Sequence, residues 1–215
     1  MTADPKITSE IKQVFDILER KIVIPKTKNI LISPFSTRST ILKLIEQEMD
    51  NHTNGEAAYI IMKMNSLQDR DIIQKLYKAS QAGVKIDLLV RGVCCLVPGV
   101  ENESENIRVI SIVDRFLEHA RVFIFANGGD EKIYIGSADI MTRNLDHRIE
   151  VLIPLLDQEI KQKVRKTIDL QLNESVKGRI IDTEQSNEYV ALNDNVNESS
   201  QHQIYDYIKG QVLMQ

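Results

Sequence analysis

The chain has 215 residues, of which 42% are hydrophobic and 27% are charged, a balance typical of a globular protein with one well-buried core. No stretch approaches the roughly 18 consecutive apolar residues of a membrane-spanning helix, and the N-terminus has no cationic segment leading into an apolar run. The formal net charge of −4 lacks the basic excess usual in nucleic-acid-binding proteins. We therefore expect a cytoplasmic protein that has no transmembrane segment, binds no nucleic acid and keeps Cys94 and Cys95 reduced.

Hydrophobic periodicity predicts that helices and strands alternate in the first part of the chain. The predicted elements are a helix over 7–22, a strand over 29–33, a helix over 36–49, a strand over 57–64, a helix ended by Gly83 and a strand over 84–90. The sequence Ser66-Leu67-Gln68-Asp69 has the form of a capping box and is expected to open the third helix. This alternation predicts a parallel sheet covered by helices.

The pattern changes in the second part of the chain. It predicts a strand over 108–113, an antiparallel hairpin of 121–126 with 132–136, a strand over 148–153, a helix over 157–172, a mobile polar segment over 183–201 and a short helix over 203–214. We therefore predict an α/β domain over 30–182, with a mixed, largely parallel sheet covered by helices. An acidic polar tail over 183–215, containing the short helix, is expected to follow it.

A cationic side chain accompanies the end of each of the first three predicted strands. These residues are Arg38, Lys63 and Arg91. Because the carboxyl ends of parallel strands lie at one edge of a sheet, where helix N-termini also favour anions, we predict a site for a polyanion, most simply phosphates. Any one of these side chains is more often a solvated strand end, so the prediction depends on all three occurring together.

His119 leads into the predicted hairpin, with Arg121 two residues later and Gly136-Ser137-Ala138-Asp139 after the second strand. An imidazole can donate to a phosphoryl oxygen or accept a phosphoryl group, and a neighbouring guanidinium neutralises the transferred charge. Arg143 and Asn144 are predicted as secondary phosphate contacts. The alternative for any histidine is a structural hydrogen-bonding role, which we assign to the remaining three: His52, His147 and His202.

Motifs of several other enzyme classes are absent from the sequence. There is no Gly-x-x-x-x-Gly-Lys-Ser/Thr loop, no Gly-x-Gly-x-x-Gly fingerprint and no Gly-x-Ser-x-Gly elbow. Cysteine and histidine do not occur at metal-ligand spacing, so we predict no metal site within this chain.

The run from His119 to Asn144 resembles the phospholipase D motif, in which His-x-Lys is followed by a Gly-Ser pair. Arg121 replaces the motif lysine, and Ala126 stands where an aspartate is expected. Both departures argue against phosphodiesterase activity.

A second resemblance covers residues 2–182. It is carried by six segments: Ile61-Met62-Lys63-Met64-Asn65-Ser66-Leu67, residues 79–87, residues 90–96, residues 104–109, Arg115-Phe116-Leu117-Glu118-His119 and Met141-Thr142-Arg143-Asn144-Leu145-Asp146. In these segments the chain is similar to the C-terminal, phospholipase D-like domain of the polyphosphate kinases that form a phosphohistidine.

The resemblance implies reversible transfer of the ATP γ-phosphate to a histidine and then to inorganic polyphosphate, with ATP/ADP as nucleotide and Mg²⁺ assisting. It implies that Arg91 contacts the ATP phosphates and that His119 contacts phosphate as an acid or stabiliser. The phosphorylated histidine and most metal contacts are expected on a preceding domain, of which residues 1–29 are the end or a linker helix. The chain alone is then expected to be inactive.

The family forms homo-oligomers, and some members associate peripherally with membranes. Two other functions stay open from the residues alone. One is a non-catalytic module that binds polyphosphate or nucleotide, and the other is a phospholipase D-like phosphodiesterase.

Overall fold

The computed structural model describes residues 2–190 and 198–213, and this part of the chain contains one eight-stranded sheet. The strands are β1 Leu31–Ser33, β2 Tyr59–Met64, β3 Lys85–Val90, β4 Ile107–Ile112, β5 Arg121–Phe125, β6 Lys132–Gly136, β7 Glu150–Pro154 and β8 Gly178–Ile181. The helices are α1 Pro5–Leu18, α2 Thr37–Thr53, α3 Arg70–Gln81, α4 Thr142–Asp146, α5 Gln158–Leu172 and α6 Ser200–Leu213.

The strand order is β1-β7-β6-β5-β2-β3-β4-β8. The β2–β3 and β3–β4 pairs are parallel, and the other neighbouring pairs are antiparallel. The predicted mixed sheet is confirmed. Most strands run in one direction, namely β1, β2, β3, β4 and β6. Most neighbouring pairs are nevertheless antiparallel, because β5, β7 and β8 run the opposite way and lie next to strands of the first set.

Strand residues alternate between two buried faces of the sheet. One face packs Met62 and Leu88 with side chains of α2 and α3. The other face packs Ile61 and Leu89 with Ile168 of α5 and its neighbours. The central strands are apolar on both faces because helices cover both sides of them, which is the burial expected of parallel strands.

The third helix does not begin at the predicted capping box. Asp69, the last residue of that box, is the N-cap, and its side chain accepts from the backbone N–H of Ile72. Ser66 and Leu67 belong instead to an extended segment, in which Leu67 bridges Cys94 and Ile140. Tertiary pairing thus extends the chain three residues further before the helix starts.

Several predicted bounds differ from the structure. α1 begins at Pro5, after the Asp4 cap, and ends at Leu18, shortly before Arg20 adopts a φ of 59°. α2 continues beyond residue 49, the predicted end of this helix, and ends at Thr53. Both differences concern helix ends, where capping contacts decide the boundary.

The segment predicted to be mobile has hydrogen-bonded backbone where the structure describes it. Ile180 N–H donates to the carbonyl of Glu188, and Val190 N–H donates to that of Gly178. Residues 188–190 therefore pair back onto β8, a strand that the sequence did not predict. Residues 191–197 of the predicted segment lie outside the described residues, as does residue 214 of the predicted last helix, which begins at Ser200.

Candidate active site

Four chain segments meet at one edge of the sheet. β2 and β3 end there, β5 begins there and β6 ends there, because β5 is antiparallel to both β2 and β6. In this register Lys63 lies opposite Val122, and Arg121 lies opposite Gly136. The topology thereby brings Lys63, Arg91 and the loop that carries His119 to the same place.

Arg121 binds both the ring and the backbone of His119. Its Nη1 lies 2.6 Å from Nδ1 of the imidazole and 3.3 Å from Nε2, and it donates to the His119 carbonyl at 2.7 Å. A guanidinium can only donate, so the nearer ring nitrogen, Nδ1, must be the acceptor. The neutral imidazole then carries its proton on Nε2 and can donate from that atom, and the side chain of His119 is exposed.

The same arginine is bound to Asp139 by two hydrogen bonds. Nε donates to Oδ1 at 3.2 Å, and Nη2 donates to Oδ2 at 3.0 Å. Both residues are buried, with 8% of Arg121 and 6% of Asp139 exposed. Because its charge is compensated inside the protein, Arg121 acts as a rigid support for the His119 imidazole rather than as a free cation.

Asp139 also connects Arg121 to the end of β2. The backbone N–H groups of Asn65 and Ser66 donate to Oδ1 at 2.8 and 3.3 Å. Burial raises the pKa of the Asp139 carboxyl, but the hydrogen bonds from Arg121 and from these backbone groups together outweigh burial and hold the pKa below its ordinary value. Asp139 is therefore ionised at neutral pH.

Arg91 is held by Asn65, the neighbour of this carboxylate. Nη2 and Nε of Arg91 donate to Oδ1 of Asn65 at 2.7 and 3.2 Å. No carboxylate in the described part of the chain forms an ion pair with Arg91, which is half-buried. A continuous hydrogen-bonded network thus joins His119, Arg121, Asp139, Asn65 and Arg91, and it leaves the charge of Arg91 uncompensated.

Lys63 has a carboxylate partner of its own. Its Nζ donates to Oε2 of Glu118 and, at 2.8 Å, to Oε1 of Gln171. Burial lowers the pKa of the Lys63 ammonium, and the attraction of Glu118 only partly offsets this. Lys63 lies beside His119 as expected, but its contacts are with Glu118 and Gln171.

Arg38 does not share this network. Its Nη1 binds Asp69, and its Nη2 binds Asp146 at 2.8 Å. Asp71 lies 3.5 Å from the same guanidinium. The charge of Arg38 is compensated by carboxylates, which argues against a phosphate contact and gives it a role in joining α2 to α3 and α4.

Arg143 and Asn144 lie in α4 and differ in exposure. Arg143 is exposed, whereas Asn144 is 3% exposed and donates to Oε1 of Glu150 at 2.7 Å. Asn144 therefore fixes the start of β7 and does not present its amide to solvent.

A cavity of about 740 Å³ opens beside His119. Its polar end is formed by Lys63, Glu118, His119, Arg121 and Gln171, and its apolar wall includes Val122, Ile135, Ile153, Val164 and Ile168.

In the described residues, no group of three or more His, Cys, Asp or Glu side chains is arranged to hold a metal ion. No helix in that part of the chain combines the length and apolar character of a membrane span.

Sequence reasoning did not single out several residues of this site. Asp139 is the last residue of the Gly136-Ser137-Ala138-Asp139 segment, Asn65 lies two residues after Lys63, and Glu118 precedes His119. Proximity in the sequence could therefore have identified all of them. Gln171 and Gln201 offered no such signal. They reach Glu118 only because α5 and α6 pack over this face of the sheet.

A family model described as polyphosphate kinase C-terminal domain 2 matches residues 30–201. The polyphosphate kinase of Vibrio parahaemolyticus is 47% identical over 209 residues, which cover 97% of this chain and 30% of the relative. The polyphosphate kinase of Escherichia coli K12 is 46% identical, with the same coverage. The chain thus spans about 30% of the length of these relatives.

Solved structures show the same likeness. The polyphosphate kinase of Porphyromonas gingivalis matches 100% of this chain with a TM-score of 0.96 and 40% identity, over 33% of its own length. Nuc of Salmonella typhimurium, a phospholipase D family member, matches 72% of the chain with a TM-score of 0.52 at 15% identity, which supports the fold alone. This chain belongs to the polyphosphate kinase family, of which it carries the C-terminal, phospholipase D-like domain.

Proposed function

We propose that this chain is the C-terminal part of the catalytic apparatus of a polyphosphate kinase, which reversibly transfers the γ-phosphate of ATP to inorganic polyphosphate. The phosphohistidine of this reaction is placed on a preceding domain, outside the region that the chain shares with its relatives. One observation carries the proposal. His119 and Arg91 are held by a single hydrogen-bonded network, which leaves the Nε2–H donor of His119 and the uncompensated charge of Arg91 at the same edge of the sheet.

In this proposal Arg91 binds the nucleotide phosphates. Its guanidinium is oriented by a neutral amide, so its charge is available to a ligand, and arginine favours phosphate through parallel hydrogen bonds. Arg143, which is exposed on α4, is a secondary contact. Lys63 contributes positive potential beneath the site, although Glu118 compensates part of its charge.

His119 stabilises the phosphoryl group in transfer. Because Arg121 occupies Nδ1, the imidazole donates through Nε2 to a non-bridging phosphoryl oxygen, where negative charge is concentrated. A general-acid role would require an imidazolium, whose Nδ1–H would face the Arg121 donor, so we propose the stabilising role for His119. Arg121 and Asp139 are positioning residues that fix the ring.

Mg²⁺ assists phosphoryl transfer in such enzymes by neutralising phosphate oxygens. The described residues do not supply a metal-binding cluster. The contacts of the ion are assigned to ATP and to the preceding domain.

Residues 1–29 end the preceding domain, residues 30–182 form the catalytic domain, and residues 183–215 form the tail. The whole enzyme is proposed to be a cytoplasmic homo-oligomer that acts on polyphosphate and ATP and can associate peripherally with membranes.

The test is polyphosphate synthesis from ATP and Mg²⁺, measured for this chain and for a protein that joins it to the preceding domains of a polyphosphate kinase relative. We expect activity only in the joined protein. There, His119→Ala should lower kcat by about 100-fold or more, and Arg91→Ala should mainly raise KM for ATP. His52→Ala is the matched control, since His52 lies at the end of α2 beside Gly83, which precedes the start of β3 at the opposite edge of the sheet.

Normal turnover of both site variants would contradict the proposed roles. Binding of polyphosphate without transfer in the joined protein would favour a non-catalytic module. Hydrolysis of a phosphodiester by this chain would favour the phospholipase D alternative.

A further inference from the structure

The loop before His119 has little support of its own. Residues 113–120 connect β4 to β5, and in the described residues they form no backbone–backbone hydrogen bond outside the strand ladders. Phe116 and Leu117 are 63% and 73% exposed, so apolar packing does not fix the loop either. A loop of this kind needs side-chain contacts to hold one conformation.

Gln201, in the first turn of α6, supplies such contacts. Its Oε1 accepts from the backbone N–H of Phe116 at 3.0 Å, and its Nε2 donates to the carbonyl of the same residue at 2.9 Å. The side-chain amide thereby pairs with both the backbone N–H and the backbone C=O of one loop residue, as a residue of a neighbouring antiparallel strand would. The two residues are 85 positions apart, so the contact exists only in the folded chain.

The same amide reaches the residue next to His119. Nε2 of Gln201 donates to Oε1 of Glu118 at 2.9 Å. The other oxygen of Glu118 accepts from Lys63 of β2 and Gln171 of α5. Three separate elements therefore hold the carboxylate that precedes His119.

Gln201 is itself held firmly at the start of α6. The neighbouring residues Ser199 and Ser200 are buried, and the backbone N–H of Ser200 donates to the fully buried carboxylate of Glu174. Glu174 also accepts from the backbone N–H groups of Val176 and Lys177. The α6 N-terminus is thus fixed to the segment after α5, which makes Gln201 a rigid attachment point for the loop.

We propose that Gln201 is a positioning residue of the phosphoryl-transfer site, which holds the 116–118 backbone so that His119 faces the transferred group. This inference rests on the proposed function, and it gives α6 a part in catalysis although the helix lies beyond the proposed catalytic domain. Arg121 fixes the imidazole from one side, and Gln201 fixes the chain leading to it from the other.

The first measurement is amide hydrogen exchange on this chain. In Gln201→Ala, the backbone amide of Phe116 should exchange about tenfold faster, because its acceptor on Gln201 is lost, while amides of the central strands keep their rates. Gln211→Ala is the matched control, since Gln211 is an exposed glutamine of the same helix. Unchanged loop exchange in Gln201→Ala would overturn the proposal.

The second measurement is kinase activity in the joined protein described above. Gln201→Ala should lower kcat about tenfold with little change in KM for ATP and in the melting temperature, as expected when only the geometry of transfer is lost. If Gln201→Ala fails to fold, Gln201→Glu serves instead, because it keeps the acceptor for Phe116 and loses both donated bonds.

Faster loop exchange with an unchanged kcat would also overturn the positioning role. If the unsubstituted joined protein has no kinase activity, the proposed function fails. The exchange result then still decides whether Gln201 holds the loop, so the two failures are distinguishable.

Discussion

Removing the charge of Asp139 is the sharpest test of the network that supports His119. The substitution Asp139→Asn keeps the size of the side chain but presents an amide N–H₂ group where the carboxylate accepted from Arg121. The backbone N–H groups of Asn65 and Ser66 also converge on that carboxylate. In Asp139→Asn the guanidinium of Arg121 therefore stays buried without a compensating charge.

The magnitude follows from the burial of both partners. With 8% of Arg121 and 6% of Asp139 exposed, water cannot replace the lost partner. Breaking such a pair from one side costs about 3–5 kcal/mol of unfolding free energy. A domain of this kind has about 5–15 kcal/mol in total, so the variant should fold but lose a large part of its stability.

Urea unfolding followed by circular dichroism measures this loss in the chain itself. Asp146→Asn is the matched control, because the Asp146 side chain is 40% exposed in its pair with Arg38 and should contribute only about 0.2–1 kcal/mol. A second variant combines Asp139→Asn with Arg121→Met. It removes both charges and should recover part of the loss.

The effect should also depend on pH. The folded-state pKa of Asp139 lies below its ordinary value of 3.8, so the carboxylate stabilises the fold above that value, and the stabilisation is lost as pH falls through the folded-state pKa. The gap between the unsubstituted chain and Asp139→Asn should therefore narrow in acid. A loss at neutral pH no larger than that of Asp146→Asn would refute the reasoning.

Further predictions concern the sheet, α1 and the half-buried side chain of Tyr59. Gly136→Ala should destabilise by about 1–3 kcal/mol in thermal unfolding, because a Cβ there would lie 2.1 Å from a backbone carbonyl oxygen of β7, whereas Gly210→Ala, with nothing within 4 Å, should be neutral or stabilising. Glu10→Gln should cost about 1–3 kcal/mol in urea unfolding, since the Glu10 carboxylate accepts the backbone N–H groups of 28–30. Burial alone would raise the pKa of Glu10, but these hydrogen bonds outweigh burial and lower it. The carboxylate therefore stabilises the fold above pH 4.5, and this stabilisation is lost as pH falls through the folded-state pKa. Burial and a neighbouring carboxylate raise the pKa of Tyr59 to about 12, so a spectroscopic titration of Tyr59→Phe should lack a tyrosinate step near pH 12 that the unsubstituted chain shows; an unchanged titration curve would contradict this.

The sequence indicated most of the regular elements because their signals are local. The apolar run that became β3 and the hairpin of β5 and β6 can be recognised from neighbouring residues alone. The capping box was misassigned and β8 was missed for a common reason. Ser66 and β8 owe their conformation to distant strands, which leave no periodic pattern in the local sequence.

The candidate site divides in the same way. His119 and Arg91 stand out by residue type and by their position next to apolar segments, and both features can be read directly from the sequence. Arg38 looked equivalent to Arg91 in the sequence, yet carboxylates compensate one and a neutral amide holds the other. The identity of each cation's partner depends on segments far apart in the chain.

By itself the sequence determined the family, the mixed α/β character of the fold and the cationic residues at one edge of the sheet, because these follow from residue type and local order. Only the tertiary structure decided that Asp139 links His119 to Arg91 through Arg121 and Asn65. It also decided that Gln201 of α6 holds the loop that precedes His119. These contacts join residues 18 and 85 positions apart, and only the packing of the sheet and its covering helices brings them within hydrogen-bonding distance.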